Sequence, residues 1–156
     1  MVSSASDFFK TFVEPTVTEF FEHPLDVRRG RIAAIVLYHM TDHYALEGYL
    51  GQDHKEINNR ILKARSNIIS CCQDFKLIRD VADATKHAQL STAILIPREI
   101  SSYDQVDVTP GLFQAPFGYG YFAEACEVLV TLDNGSVKSL LPAVRAVVNY
   151  WKSVFP

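Results

Sequence analysis

Apolar residues in the first ninety positions recur at helical spacing. Phe8, Phe9, Phe12, Val13, Val17, Phe20 and Phe21 mark a first helix, capped by Ser6 or Asp7 and running to about Glu22. Pro15 predicts a kink or two short pieces within it, because proline removes a helical donor. Pro24 ends the segment, and a second helix is predicted from about Leu25 to Leu50, closed by Gly51. Its stripe of Ile32, Val36, His39, His43, Leu46 and Leu50 steps by four and three, which keeps one face toward a partner helix. Asp53 caps a third stretch carrying Ile57, Ile61, Ala64, Ile68, Cys72 and Phe75, and the pattern continues through Ile78, Val81, Ala82, Thr85 and Ala88. Roughly forty residues is long for one globular helix, so a break is expected near Gln73–Asp74.

Beyond position 92 the texture changes. Residues 93–100 and 126–132 are β-rich, and Asp133-Asn134-Gly135 between apolar runs predicts a hairpin turn, because Gly readily takes a positive φ and Asn tolerates one. Residues 136–140 then return antiparallel. Pro142 suits the first turn of a last helix, with Val144, Val147, Val148, Trp151 and Val154 on its inner face. Residues 101–124 read as a long loop of Gly, Pro and aromatics, the kind that serves as a lid, a dimer clasp or a stacking platform. No Lys or Arg lies between 101 and 123, which argues against nucleic acid at this loop and for either ordinary loop packing or an interaction surface over residues 111–121.

The fold class predicted is mainly α: a bundle of about four main helices with a small antiparallel sheet inserted before the last. The chain reads as a single domain over 1–156, helical over 1–92, sheet and loop over 93–140, and the final helix over 141–156. Composition agrees, with 48% apolar and 21% charged residues in 156. The net charge of −3 supplies no general basic field for nucleic acid or acidic membranes. No apolar run approaches the length of a membrane span, and Met1–Phe21 lacks the basic-then-apolar order of a signal peptide. Cys71, Cys72 and Cys126 form neither a disulfide framework nor a zinc pattern, so a reducing, cytoplasmic setting is expected. Arg28, Arg29 and Arg31 read as a solvated basic face.

Two polar constellations carry candidate chemistry. His39 and His43 stand one helical turn apart and can chelate a divalent metal, completed by Glu47 or by His87, Asp83 or Asp80 of the third helix. The alternative is a pair of neutral histidines bonded to carboxylates or backbone. The second is Arg79-Asp80-Val81-Ala82-Asp83-Ala84-Thr85-Lys86-His87, the densest polar run in the chain. At 100° per residue, Arg79, Asp83, Lys86 and His87 cluster on one side. Asp83 is placed to orient His87 as an acid/base, with Arg79 and Lys86 stabilising phosphoryl charge. The alternative is a solvated face laced with weak ion pairs.

This run resembles the RD-x-A-[DN]-A-x-KH helix of small uncharacterised bacterial proteins. It is also similar to HEPN domains, helical bundles whose RNase members carry an Arg, often followed by a polar residue, and then a His. Arg79, Asp80 and His87 match that motif, although seven residues separate Arg79 from His87, which rotates the His by about 100° relative to the usual spacing. The resemblance implies a homodimer, an RNA or nucleotide partner, and metal-independent RNase chemistry with no cofactor. Two other readings stand beside it: a metal-binding bundle using His39 and His43, and a non-catalytic interaction module.

Overall fold

The computed structural model describes residues 4–92, 96–108 and 127–156. It is mainly helical, with a small three-stranded antiparallel sheet before the last helix, as the pattern predicts. Ser4 opens α1 (Ala5–Phe8) in a reciprocal capping box with Asp7, two positions ahead of the predicted cap. α1 runs without a break through a π-helical turn (Phe9–Val13) into α2 (Glu14–Glu22). The π-turn falls just ahead of Pro15, where the Glu14 N–H reaches back to the Phe9 carbonyl. The predicted irregularity is thus a widened turn within one continuous rod, and Phe9, Val13, Val17 and Phe20 all face the core.

α3 (Val27–Ala45) is the central helix, capped by Asp26 and packed against α2, α5 and α6, with α4 (His54–Cys71) along its remaining edge. Gly30 makes room for α2 and α6: a Cβ there would lie 3.0 Å from both Leu140 and Phe20 side chains. The helix ends five residues earlier than the predicted Leu50, and the positive φ falls at Gly48 rather than Gly51. Its buried positions are Gly30, Arg31, Ala33, Ala34, Val36, Leu37, Tyr38, Met40 and Thr41. The predicted inner stripe is therefore overturned except at Val36: Ile32 and His43 are exposed, and Leu50 is 85% exposed. With partners on three sides, small alanines let the neighbouring helices approach, and the narrow remaining edge carries the histidines.

Asp53 caps α4 (His54–Cys71) as predicted, accepting from the Glu56 N–H. The chain breaks over Cys72–Asp74, and α5 (Phe75–His87) follows. α4 is peripheral, burying only Ala64 and Ile68. α5 is deeply embedded, with Phe75, Leu77, Ile78, Val81 and Ala84 at 2% exposure or less. It ends abruptly at Ala88, whose φ of +58 bends the chain so that Gln89 N–H meets the His87 carbonyl.

β1 (Val106–Val108), β2 (Val128–Thr131) and β3 (Val137–Ser139) form the sheet, with Val106 opposite Val130 and Leu129 opposite Ser139. Gly135, at φ +83, closes the predicted hairpin turn. α6 (Leu140–Val154) follows directly, its inner face carrying Val144, Val147, Val148 and Trp151. Two predictions need correction. Residues 101–108 are not all loop, since β1 lies there, and the rest of the predicted loop, 109–124, lies outside the described residues. Residues 96–100 of the predicted 93–100 strand are irregular, while 93–95 lie outside the described residues. The cause is on α5: polar side chains take the backbone groups of 96–99 that a ladder would need.

Candidate functional site

Those side chains are Arg79 and Asp80. Arg79 donates to the carbonyls of Ile96 and Pro97 at 3.3 and 3.2 Å, and to the Asp80 carboxylate at 2.7 Å. Asp80, fully buried, also accepts from the Glu99 N–H at 2.7 Å. Arg98 completes the knot, reaching Asp83 at 2.9 Å and Asp80 at 3.4 Å. Burial pushes the Asp80 carboxyl above its ordinary value, against the opposing pull of the Glu99 N–H and both guanidiniums. Every charged group in this clip is committed to holding the 96–99 segment on α5.

One turn away the situation differs. α3, α4 and α5 enclose a groove of about 350 Å³, lined by Tyr38, His39, Asp42, Arg65, Asp83 and Lys86 among others. Helical spacing brings Asp42 beside His39, with its Oδ2 3.4 Å from the ring Nδ1. The other oxygen of Asp42 accepts from Arg65 Nη2 at 3.0 Å. Arg65 lies over the Tyr38 ring with its guanidinium carbon 4.3 Å from the centroid, so one face of the cation is fixed by an aromatic plane. Its Nε is buried without a partner. Burial pushes the Tyr38 hydroxyl up to about 12, which keeps it a neutral donor.

Charge pairing leaves this groove unsaturated. Asp42 is matched by Arg65 and Asp83 by Arg98. Lys86 is exposed and has no ion pair among the described residues, and the His39 side chain is 42% exposed. The arrangement offers an unpaired ammonium, a guanidinium fixed by Asp42 and Tyr38, a neutral hydroxyl, and an imidazole held at one nitrogen by a carboxylate. With Nδ1 directed to Asp42, Nε2 of His39 is the nitrogen left to exchange a proton. A second cleft continues the groove past Arg65 and Asp83 toward Arg79 and Arg98.

The predicted residues are thus redistributed. Arg79, Asp83, Lys86 and His87 do not form one constellation: Arg79 and Asp83 belong to the clip, and Asp83 pairs with Arg98 rather than orienting His87. Lys86 lines the groove, while His87 is exposed at the end of α5. Arg79 and His87, eight positions apart, are separated by about 12 Å along the helix axis. Nor do His39, His43 and Glu47 converge. His43 stacks on Phe8 at 3.7 Å, and Glu47 accepts from the Ala5 N–H at 3.1 Å. Among the described residues no group of three His, Cys, Asp or Glu is placed to hold a metal ion.

Desolvation against Phe8 lowers the His43 imidazole below its ordinary value, outweighing the attraction of Asp42. The predicted solvated face of Arg28, Arg29 and Arg31 is only partly so. Arg31 is buried, donating to the carbonyls of Tyr103 and Val106 beneath the Tyr103 ring. Burial pushes the Cys72 thiol up, the direction opposite to activation. Residues 111–121, the predicted contact loop, lie outside the described residues, and no helix among those described is long and apolar enough to cross a membrane.

Sequence reasoning overlooked Asp42, Arg65, Tyr38 and Arg98. Asp42 had a legible signal, since a carboxylate three residues after a helical His shares its face. Arg65 and Arg98 had none, because they reach their partners only through tertiary packing. Compared with known proteins, the chain gives no significant match to any family model, curated protein or solved structure.

Proposed function

We propose that the α3–α4–α5 groove binds the phosphate of a nucleotide or of an RNA strand, and that His39 is the group that moves a proton there. The observation that carries this reading is the meeting of three helices on one groove. α3 contributes the His39–Asp42 pair, α4 contributes Arg65 bound to that pair, and α5 contributes the unpaired Lys86. Two cations near an imidazole match what phosphodiester cleavage asks of a protein: charge stabilisation on phosphoryl oxygens and a proton carrier close to neutral pH. In such a reaction a 2′-oxygen attacks the adjacent phosphorus as its proton passes to His39 Nε2, and the P–O5′ bond breaks as the 5′-oxygen takes a proton from water, leaving a 2′,3′-cyclic phosphate and a 5′-hydroxyl.

The resemblance to HEPN domains supports RNA as the substrate and a homodimer as the working form. Within that resemblance the reading moves the acid/base role from His87 to His39 and keeps Lys86 as a phosphate contact. Arg79 acts by holding the 96–99 segment, which lines the cleft adjoining the groove. The test is cleavage of single-stranded RNA in excess EDTA, with nucleotide binding measured in parallel. His39→Ala should abolish cleavage and Lys86→Ala should weaken binding, both with unchanged melting. Wild type that neither binds nor cleaves overturns the reading.

A further inference from the structure

α4 is the outlier of the bundle. Within its span Lys55, Arg60, Lys63 and Arg65 outnumber one acidic residue, Glu56, inside a chain whose net charge is −3. Glu56 pairs with Arg60 at 2.8 Å and Asp42 with Arg65, which leaves Lys55 and Lys63 without an ion pair among the described residues. Only two of its residues are buried. Lys55, Asn59, Lys63 and Asn67 follow one another at four-residue steps, which makes an exposed row of alternating cations and amides about 6 Å apart that winds slowly around the helix. Against this row lies an open cleft of about 530 Å³, walled on the α3 side by Tyr44. Tyr44 is 41% exposed, and just beyond it the Arg60 guanidinium sits 4.5 Å from the centroid of Tyr49.

We infer that this outer face of α4 is a track for a single-stranded nucleic acid, leading to the groove on the helix's other flank. The inference rests on the proposed groove reading for where the strand ends, and it narrows the ligand from a free nucleotide to a strand. An excess of cations on one exposed helix of an acidic protein marks a localised polyanion site rather than general stickiness. Amides and the exposed Tyr44 ring beside them suit bases, which stack on aromatics and present hydrogen-bonding edges, whereas an acidic peptide uses only the cations. Arg65, two residues beyond Lys63 and facing the groove, joins the two flanks.

The test uses fluorescence anisotropy with a labelled oligonucleotide of about 15 residues, a span within the range of single-strand binding sites, and with a labelled mononucleotide. The variant is Lys55→Gln/Arg60→Gln/Lys63→Gln in the full chain; all three side chains are exposed, and a thermal melt confirms the fold. It should weaken oligonucleotide binding at least 10-fold and reduce the log–log salt slope by about 2, the release expected for three single-strand phosphate contacts. Mononucleotide binding should be unchanged. Equal oligonucleotide affinity in variant and wild type overturns the track, as does competition by polyglutamate of matched charge as strong as by RNA. Wild type that binds the oligonucleotide through α4 but not the mononucleotide keeps the track and removes the groove reading. Wild type that binds the mononucleotide and no oligonucleotide does the reverse.

Discussion

The clip around Asp80 and the groove around His39 lie side by side and draw on the same residue types, yet they differ in what is left over. In the clip, two guanidiniums and two carboxylates satisfy one another and the backbone of 96–99, with Asp80 out of water altogether. In the groove, the Asp42–Arg65 pair leaves His39 with one nitrogen free, and Lys86 is unmatched among the described residues. A saturated polar cluster holds structure; an unsaturated one on an open cavity can meet a ligand. Arg79 and Lys86 belong to one helix and one sequence run, and two turns of α5 place them in opposite roles.

The largest effect should come from breaking the clip. Asp80→Ala leaves Arg79 and the Glu99 N–H without their buried acceptor, and loss of one partner of a buried pair costs about 3–5 kcal/mol. Urea denaturation should show that loss, and Asp80→Asn, which retains one acceptor, should lose less. A variant as stable as wild type would mean that the clip does not hold the segment.

His39→Ala should leave stability near wild type and reduce RNA turnover by roughly 10²-fold or more, the usual worth of a positioned acid/base. The opposite pattern, a large loss of stability with turnover intact, would make the groove a second clip. Lys86→Ala should follow with about a 10-fold loss in phosphate-ligand affinity, corresponding to one charge-assisted hydrogen bond.

Two smaller effects sharpen the contrast at its edges. Ala88 holds a positive φ that an L side chain disfavours by about 1–2 kcal/mol. Ala88→Gly should therefore raise the melting temperature slightly without altering ligand affinity, since the strain lies beyond Lys86. His43 should register in the pH dependence of stability. Its folded value lies below the ordinary 6.5 because contact with Phe8 desolvates it, so the unfolded chain binds that proton more tightly. Stability should fall as pH drops through and below 6.5, and His43→Gln should flatten that part of a melting-temperature profile. Asp42 favours the charged form of His43 and His39 opposes it, so the profile should be remeasured in His39→Ala to separate the two rings.

Much of the bundle was legible because helices announce themselves locally. The Asp53 cap, the break before Phe75, the Asn134-Gly135 turn and the inner face of α6 all follow from short-range pattern. The phase of α3 was not, because a helix wrapped on three sides has no single apolar stripe, and Ala33 and Ala34 carry little hydrophobic signal despite being fully buried. β1 escaped notice because three residues give no measurable alternation. The candidate site was half legible: His39 and Lys86 stood out as residue types, but the Arg65–Asp42 bond beside His39, the hold of the Ile96 carbonyl on Arg79 and that of Arg98 on Asp83 depend on contacts 15 to 23 positions apart.

The most direct measurement is cleavage of single-stranded RNA in excess EDTA by wild type, His39→Ala and His87→Ala, purified identically. The groove account predicts cleavage by wild type and His87→Ala and none by His39→Ala. Loss of cleavage in His87→Ala with His39→Ala fully active, or no cleavage by the wild type, would contradict it.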